Sequence, residues 1–218
     1  VYFSIQHNDT SGNFYRIIKG WWVKCNITAP MLPGYITGTM VTDRCTYTAT
    51  GTDIHIAAKN NTVTNCRFTA RSVTFGLGVS PQAGTHSVLN NLFILSSAIG
   101  TNAGIIGTMT MAGNTIDART ATGGTTKALW TRAGVVALTF SGNAVLFNTG
   151  DAYRLFATIT PASGDSLAMV SNRLQGTDSS RILVTSYAGA TKTLAELVSG
   201  GQDTGSTWSA GLALDGNY

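Results

Sequence analysis

Charge is scarce in this chain. Only 11% of its 218 residues are Asp, Glu, Lys or Arg, less than half the share usual in a soluble domain. There is a single glutamate, Glu196, and the histidines and cysteines number 3 each. So little Glu and Lys excludes a charged helical bundle or coiled coil. No apolar run approaches the roughly 18 residues a membrane-spanning helix needs, so no membrane span is expected. The net charge of +4 is spread without blocks of like sign, and a dedicated nucleic-acid binder would cluster its Lys and Arg. No clustered carboxylates suit calcium, and no zinc, phosphate-loop or Ser-His-Asp signature occurs. No metal and no cofactor are expected.

What is abundant is threonine, glycine and asparagine, 33, 25 and 14 residues, against a background that is 43% hydrophobic. Thr, Val, Ile and aromatics suit a pleated, half-buried surface, and Gly, Asn and Ser suit tight turns. High apolar content with low net charge argues against disorder. The expected class is all-β, in one domain.

The chain also repeats. Cys25, Cys45, Cys66, Asn91, Asn114, Asn143 and Asn172 follow one another at 20, 21, 25, 23, 29 and 29 residues. Two positions after each stands a hydrophobic residue: Ile27, Tyr47, Phe68, Phe93, Ile116, Val145 or Leu174. Three positions before each stand Trp22, Thr42, Val63, Val88, Met111, Phe140 and Met169, all hydrophobic but Thr42. The residue at +4 is mostly small or apolar. A constant local pattern at variable spacing means one fixed corner joined by loops of different length. With a side-chain period of two, positions −3, +2 and +4 point inward. Stacked coils then pile the Cys and Asn residues into a ladder at the corner, where each amide both donates and accepts.

The corners Asn90-Asn-Leu-Phe93, Gly113-Asn-Thr-Ile116, Gly142-Asn-Ala-Val145 and Ser171-Asn-Arg-Leu174 resemble those of the pectate-lyase-like superfamily. The resemblance covers about residues 14–187. It implies a single right-handed parallel β-helix of about seven to eight coils over residues 1–187. Residues 188–218 are a closing segment of the same domain. There Thr193-Leu-Ala-Glu196 reads as a capping box opening a short helix over 193–199, and residues 200–206 read as loop. The ends, Val1-Tyr-Phe-Ser4 and Asp215-Gly-Asn-Tyr218, suggest a processed or partial chain, or a solenoid end covered by another chain.

Three cysteines leave at least one unpaired. The favoured reading is three small, buried, reduced side chains; a Cys25–Cys45 or Cys45–Cys66 disulfide is the alternative.

In the resembled superfamily, catalysis and sugar binding lie on the sheet upstream of the corner. Here that sheet is expected near 14–18, 35–37, 53–57, 72–77, 104–107, 127–131, 153–158 and 181–186. Ile54, Ile56, Val73 and Phe75 should point in, and Asp53, His55 and Thr74 out. Arg16, Arg154 and Arg181 with Tyr35, His55 and Trp130 would form a thin basic, aromatic stripe able to bind an anionic glycan. His55, Lys59 and Arg71 are the best local trio for the base and carboxylate-neutralising roles of a lyase. Hydrolysis would need two carboxylates at a set separation, which no pair here offers by spacing.

The superfamily includes polysaccharide lyases and hydrolases, phage tailspikes and surface adhesins. The first expectation is therefore a non-enzymatic structural or receptor- or glycan-binding β-helix of a virion, tailspike or decoration, or of a bacterial surface. Its partners would be a polysaccharide or cell-surface glycan, other virion or surface chains, and further copies of itself, a trimer among the options, but not nucleic acid. It would act in the virion or outside the cell. The alternative is a polysaccharide lyase acting on an acidic glycan.

Overall fold

A strand that is apolar on one side and polar on the other must fold that side against something. Repeated at every corner, the pattern winds the chain around its own apolar residues. The computed structural model describes residues 17–24, 26–27, 36–56, 58–75, 82–97, 99–101, 105–121, 128–131, 134–147, 154–175, 181–210 and 212. Within them every described residue at −3 and +2 is buried, from Thr42 and Tyr47 at the Cys45 corner to Met169 and Leu174 five corners on. Position +4 is buried as well, at Ala49, Ala70, Leu95, Ala118 and Phe147. The one polar residue at −3, Thr42, receives a hydrogen bond from the Tyr47 hydroxyl at 3.3 Å. The +2 column stacks Tyr47 on Phe68 and Phe68 on Phe93, with ring centroids 4.7 and 4.9 Å apart.

The elements are β1 (Ile17–Val23), β2 (Asn26–Ile27), β3 (Ile36–Asp43), β4 (Thr46–Ile56), β5 (Ala58–Thr64), β6 (Arg67–Phe75) and β7 (Gln82–Leu89). Then come β8 (Leu92–Leu95), β9 (Ile99–Thr101), β10 (Ile105–Ala112), β11 (Thr115–Ala118), β12 (Ala128–Thr131), β13 (Gly134–Ser141) and β14 (Ala144–Phe147). The chain continues through β15 (Arg154–Ile159), β16 (Ser166–Val170), β17 (Arg173–Gln175), β18 (Ile182–Tyr187), β19 (Ala190–Thr193), α1 (Leu194–Ser199), β20 (Asp203–Thr204) and β21 (Thr207–Ser209). Strands entering the corners form an eight-stranded sheet in the order β1-β3-β5-β7-β10-β13-β16-β20. Strands leaving the corners and strands of the third side belong to one thirteen-stranded sheet, which divides at β6. Arg67–Ala70 of β6 pair with β8, and Val73–Phe75 pair with β9. Apart from the β18–β19 hairpin, these pairings are parallel. The fold is a parallel β-helix.

Four consecutive turns carry three separate strands each: β7-β8-β9, β10-β11-β12, β13-β14-β15 and β16-β17-β18. In the turns before them the second and third strands fuse into the longer β4 and β6. The seven to eight like coils expected over the chain thus reduce to about four equivalent turns. Two further corrections concern strand placement. Residues 105–107 open β10 in the eight-stranded sheet, and the third side of the turn before it is the short β9 instead. Ile17 and Ile18, and Ile36 and Thr37, likewise belong to β1 and β3. The third side carries the variable loops, so its strands do not keep a fixed distance from the corner.

The corner is built the same way in every turn. The residue before it has a left-handed backbone: Lys24, Arg44, Asn65, Asn90, Gly113, Gly142, Ser171 and Gly205, with φ between 52° and 77°. The amides of the first seven donate to a carbonyl of the following turn, as from Arg44 to Thr64, Asn65 to Leu89 and Gly113 to Ser141. The next residue belongs to the ladder. Oδ1 of Asn114 accepts from the backbone and side-chain amides of Asn91 at 2.9 and 3.0 Å. Asn143 serves Asn114, and Asn172 serves Asn143, in the same way. Each Nδ2 also donates to a backbone carbonyl of the strand entering the preceding corner: Val63, Val88, Met111 and Phe140 in turn. At one end Asn91 Oδ1 accepts from the Cys66 amide, and at the other Ser206 Oγ accepts from Asn172.

Residues 200–206, expected as loop, contain β20, which pairs in parallel with β16. Gly205-Ser206 there forms one further corner, leading into β21 beside β17. The short helix is α1, with Thr193 as its cap. Thr193 Oγ1 accepts from the Glu196 amide, and the Glu196 carboxylate accepts from the Thr193 amide at 2.7 Å. Thr193→Ala is expected to cost about 1 kcal/mol and lower Tm by about 2–4 °C in a chain of this size, measured by thermal denaturation. Among the described residues no helix is long and apolar enough to cross a membrane.

Candidate functional site

The face upstream of the corners is made by the ends of β4 and β6 with β9, β12, β15 and β18. Ile54, Ile56, Val73 and Phe75 turn inward and are buried. Asp53 on β4 lies opposite Ser72 on β6 and is held there: Arg71 Nε donates to it at 2.8 Å, a second guanidinium nitrogen completes the fork, and the Ser72 hydroxyl donates as well. The carboxylate stabilises the charged form of Arg71, raising its pKa. Arg71 is thus drawn toward Asp53. His55 pairs with Thr74 in the same sheet and is described in its backbone only. Lys59 stands on β5 in the eight-stranded sheet.

Arg154 and Arg181 lie on adjacent turns. Arg154 reaches the Ile182 carbonyl with Nη1 at 3.4 Å, and the Arg181 guanidinium sits 4.5 Å above the Phe147 ring. Trp130 falls on β12 opposite Phe156 and Ile99, again with only its backbone described. Arg16, Tyr35 and Cys25 lie outside the described residues.

Cys45 and Cys66 are buried, with no disulfide between them. Their thiols donate to the Asp43 and Thr64 carbonyls at 3.5 and 3.1 Å, and Cys66 Sγ accepts from the Cys45 amide at 3.4 Å. Hydrogen bonding with Cys45, then burial, pushes the Cys66 thiol well above its ordinary pKa, which disfavours the reactive thiolate. Among the described residues no group of three His, Cys, Asp or Glu could hold a metal ion.

Two features have no counterpart in the sequence reading. The first is a cleft of about 420 Å³ on the corner ridge, lined by Arg44, Cys45, Thr46, Asn65, Cys66, Arg67 and Asn90. At its edge Asp43 accepts from Asn65 Nδ2 at 2.9 Å, Thr64 Oγ1 at 2.8 Å and Arg44 Nε at 2.6 Å. The Asn65 bond leads in lowering the Asp43 pKa. The signal for this cleft was the cations flanking the early corners, Arg44 before Cys45 and Arg67 after Cys66. The second is a polar pair inside the core, Asn61 with His86, at the position five before the corner. Met40 and Met109 occupy that position on the neighbouring strands.

Compared with protein-family models, with curated proteins and with solved structures, the chain matches none.

Proposed function

We propose that the protein is a non-enzymatic parallel β-helix of pectate-lyase-like architecture, serving as a structural or glycan-binding part of a virion, such as a tailspike or decoration, or of a bacterial surface. The observation that carries this reading is how the carboxylates are used. Asp43, Asp53, Asp117, Asp165, Asp203 and Glu196, all the acids among the described residues, accept hydrogen bonds from neighbouring groups of the fold. Asp43 and Asp53 tie one turn to the next, Asp117 pairs with Arg119, Asp165 and Asp203 bind loop amides, and Glu196 caps α1. An acid committed in this way is poorly placed to protonate a leaving group or activate water. Such ties favour a rigid rod with a solvent-facing surface over a catalytic groove.

The test is incubation with a panel of acidic and neutral polysaccharides, following binding together with reducing ends and the ultraviolet absorbance of unsaturated products. Retention of a glycan without product is expected. Product formation that disappears in His55→Ala would instead establish the lyase reading.

A further inference from the structure

We propose that the corner cleft between Arg44 and Arg67 is a subsite for an acidic polysaccharide of the polyuronate type, lying along the solenoid axis. This deepens the glycan-binding reading above and rests on it. Cations stand on three consecutive turns of one ridge: Lys24 and Arg44 just before their corners and Arg67 just after the next. Turns repeat at about 4.8 Å, close to the length of one residue in an extended polysaccharide. One positive charge per turn therefore matches one carboxylate per sugar.

The groups are also available. Arg67 has no ion-pair partner among the described residues, and Arg44 gives Asp43 only its Nε. Both amino groups of Arg44 remain to form the forked bonds a carboxylate favours. Asn65 and Asn90 line the same cleft with side-chain amides suited to sugar hydroxyls. No aromatic ring lines it, so it lacks the stacking platform by which proteins hold single-stranded nucleic acid.

The backbone supplies a separate argument. Lys24 and Arg44 hold φ values of 54° and 52°, a conformation costing a residue with a β-carbon roughly 1–2 kcal/mol. Gly113, Gly142 and Gly205 fill the same place in other turns. The first corners thus carry long cations where glycine would be less strained, and strain that a fold does not require points to use of the side chain.

The experiment is calorimetric titration of the whole protein with oligogalacturonate, with a neutral oligoglucan and single-stranded oligothymidylate as parallel arms. The proteins compared are the native chain, Arg67→Gln, Arg44→Gln and Lys192→Ala. Both glutamine variants are expected to melt like the native protein. Each should weaken oligogalacturonate binding about tenfold or more, while Lys192→Ala, on β19 away from the cleft, leaves it unchanged. Native-like affinity in both glutamine variants overturns the corner subsite and leaves glycan binding standing, as does binding of the neutral glycan alone. Thymidylate bound as tightly as galacturonate overturns the choice of polyuronate. Failure to bind any glycan overturns this subsite and the glycan-binding reading together.

Discussion

Asn114→Leu is expected to lower the unfolding free energy by about 3–6 kcal/mol. The side chain is fully enclosed, 1% exposed, and three groups depend on it. Its Oδ1 accepts from the backbone and side-chain amides of Asn91, and its Nδ2 donates to the Val88 carbonyl at 2.9 Å. A leucine of similar bulk fills the space and satisfies none of them. Each orphaned buried group costs about 1–3 kcal/mol, and neither Asn91 nor Val88 can reach water from inside the stack. The neighbouring turns also lose the bond joining Asn114 Nδ2 to Asn143. Asn114→Ser should be milder, because Ser206 already performs the acceptor half of this role for Asn172 with a hydroxyl, at 3.0 and 3.1 Å. Equilibrium urea unfolding of the three proteins checks the order. A leucine variant as stable as the native protein would show that the amide ladder does not hold the turns together.

That serine explains where the repeat ceased to be legible in the sequence. Asn91, Asn114, Asn143 and Asn172 stand out because one chemical group recurs, flanked by apolar residues at fixed offsets. At Ser206 the ladder residue changes type and the residue three before it is Asp203, so the marker and the hydrophobic −3 position are both lost and only Trp208 at +2 keeps the pattern. The backbone requirement does survive, as Gly205 with φ of 77°. A search for left-handed corner residues would have found it.

The third side was less legible for a different reason. Corners are bound by hydrogen bonds that fix their length, whereas the connections beyond them are not. The interval between successive corners therefore grows from 20 residues to 29, and β9 is hidden within it. Candidate site residues suffered most from this. Arg71, Arg154 and Arg181 are charged, so in sequence they look like surface groups. In the fold they meet Asp53, a backbone carbonyl and the Phe147 ring, partners contributed by other turns that no local pattern reveals.

The core pair Asn61–His86 makes stability depend on mild acid. His86 is 1% exposed, and its Nδ1 lies 3.0 Å from Asn61 Nδ2. The Asn61 amide nitrogen donates to the Ala58 carbonyl at 3.2 Å and faces that of Ile56 at 3.4 Å. That bonding orients the nitrogen toward the histidine, so Nδ1 is the acceptor and the ring is neutral with its proton on Nε2. Protonating Nδ1 would set N–H against N–H inside an apolar stack bounded by Met40 and Met109. Burial accordingly lowers the pKa from 6.5 to about 4. Since the folded chain resists the proton and the unfolded chain accepts it near 6.5, stability is complete above that pH. It falls as pH drops from 6.5 toward 4, and His86 adds no further loss below 4. The depressed value corresponds to a total loss of about 3 kcal/mol. Urea unfolding at neutral pH and at the lower end of that window should show most of this loss in the native protein. His86→Met, which matches the neighbouring methionines of the column, should remove the slope over that window. Equal slopes in the two proteins would mean that the histidine is already charged or solvated in the fold.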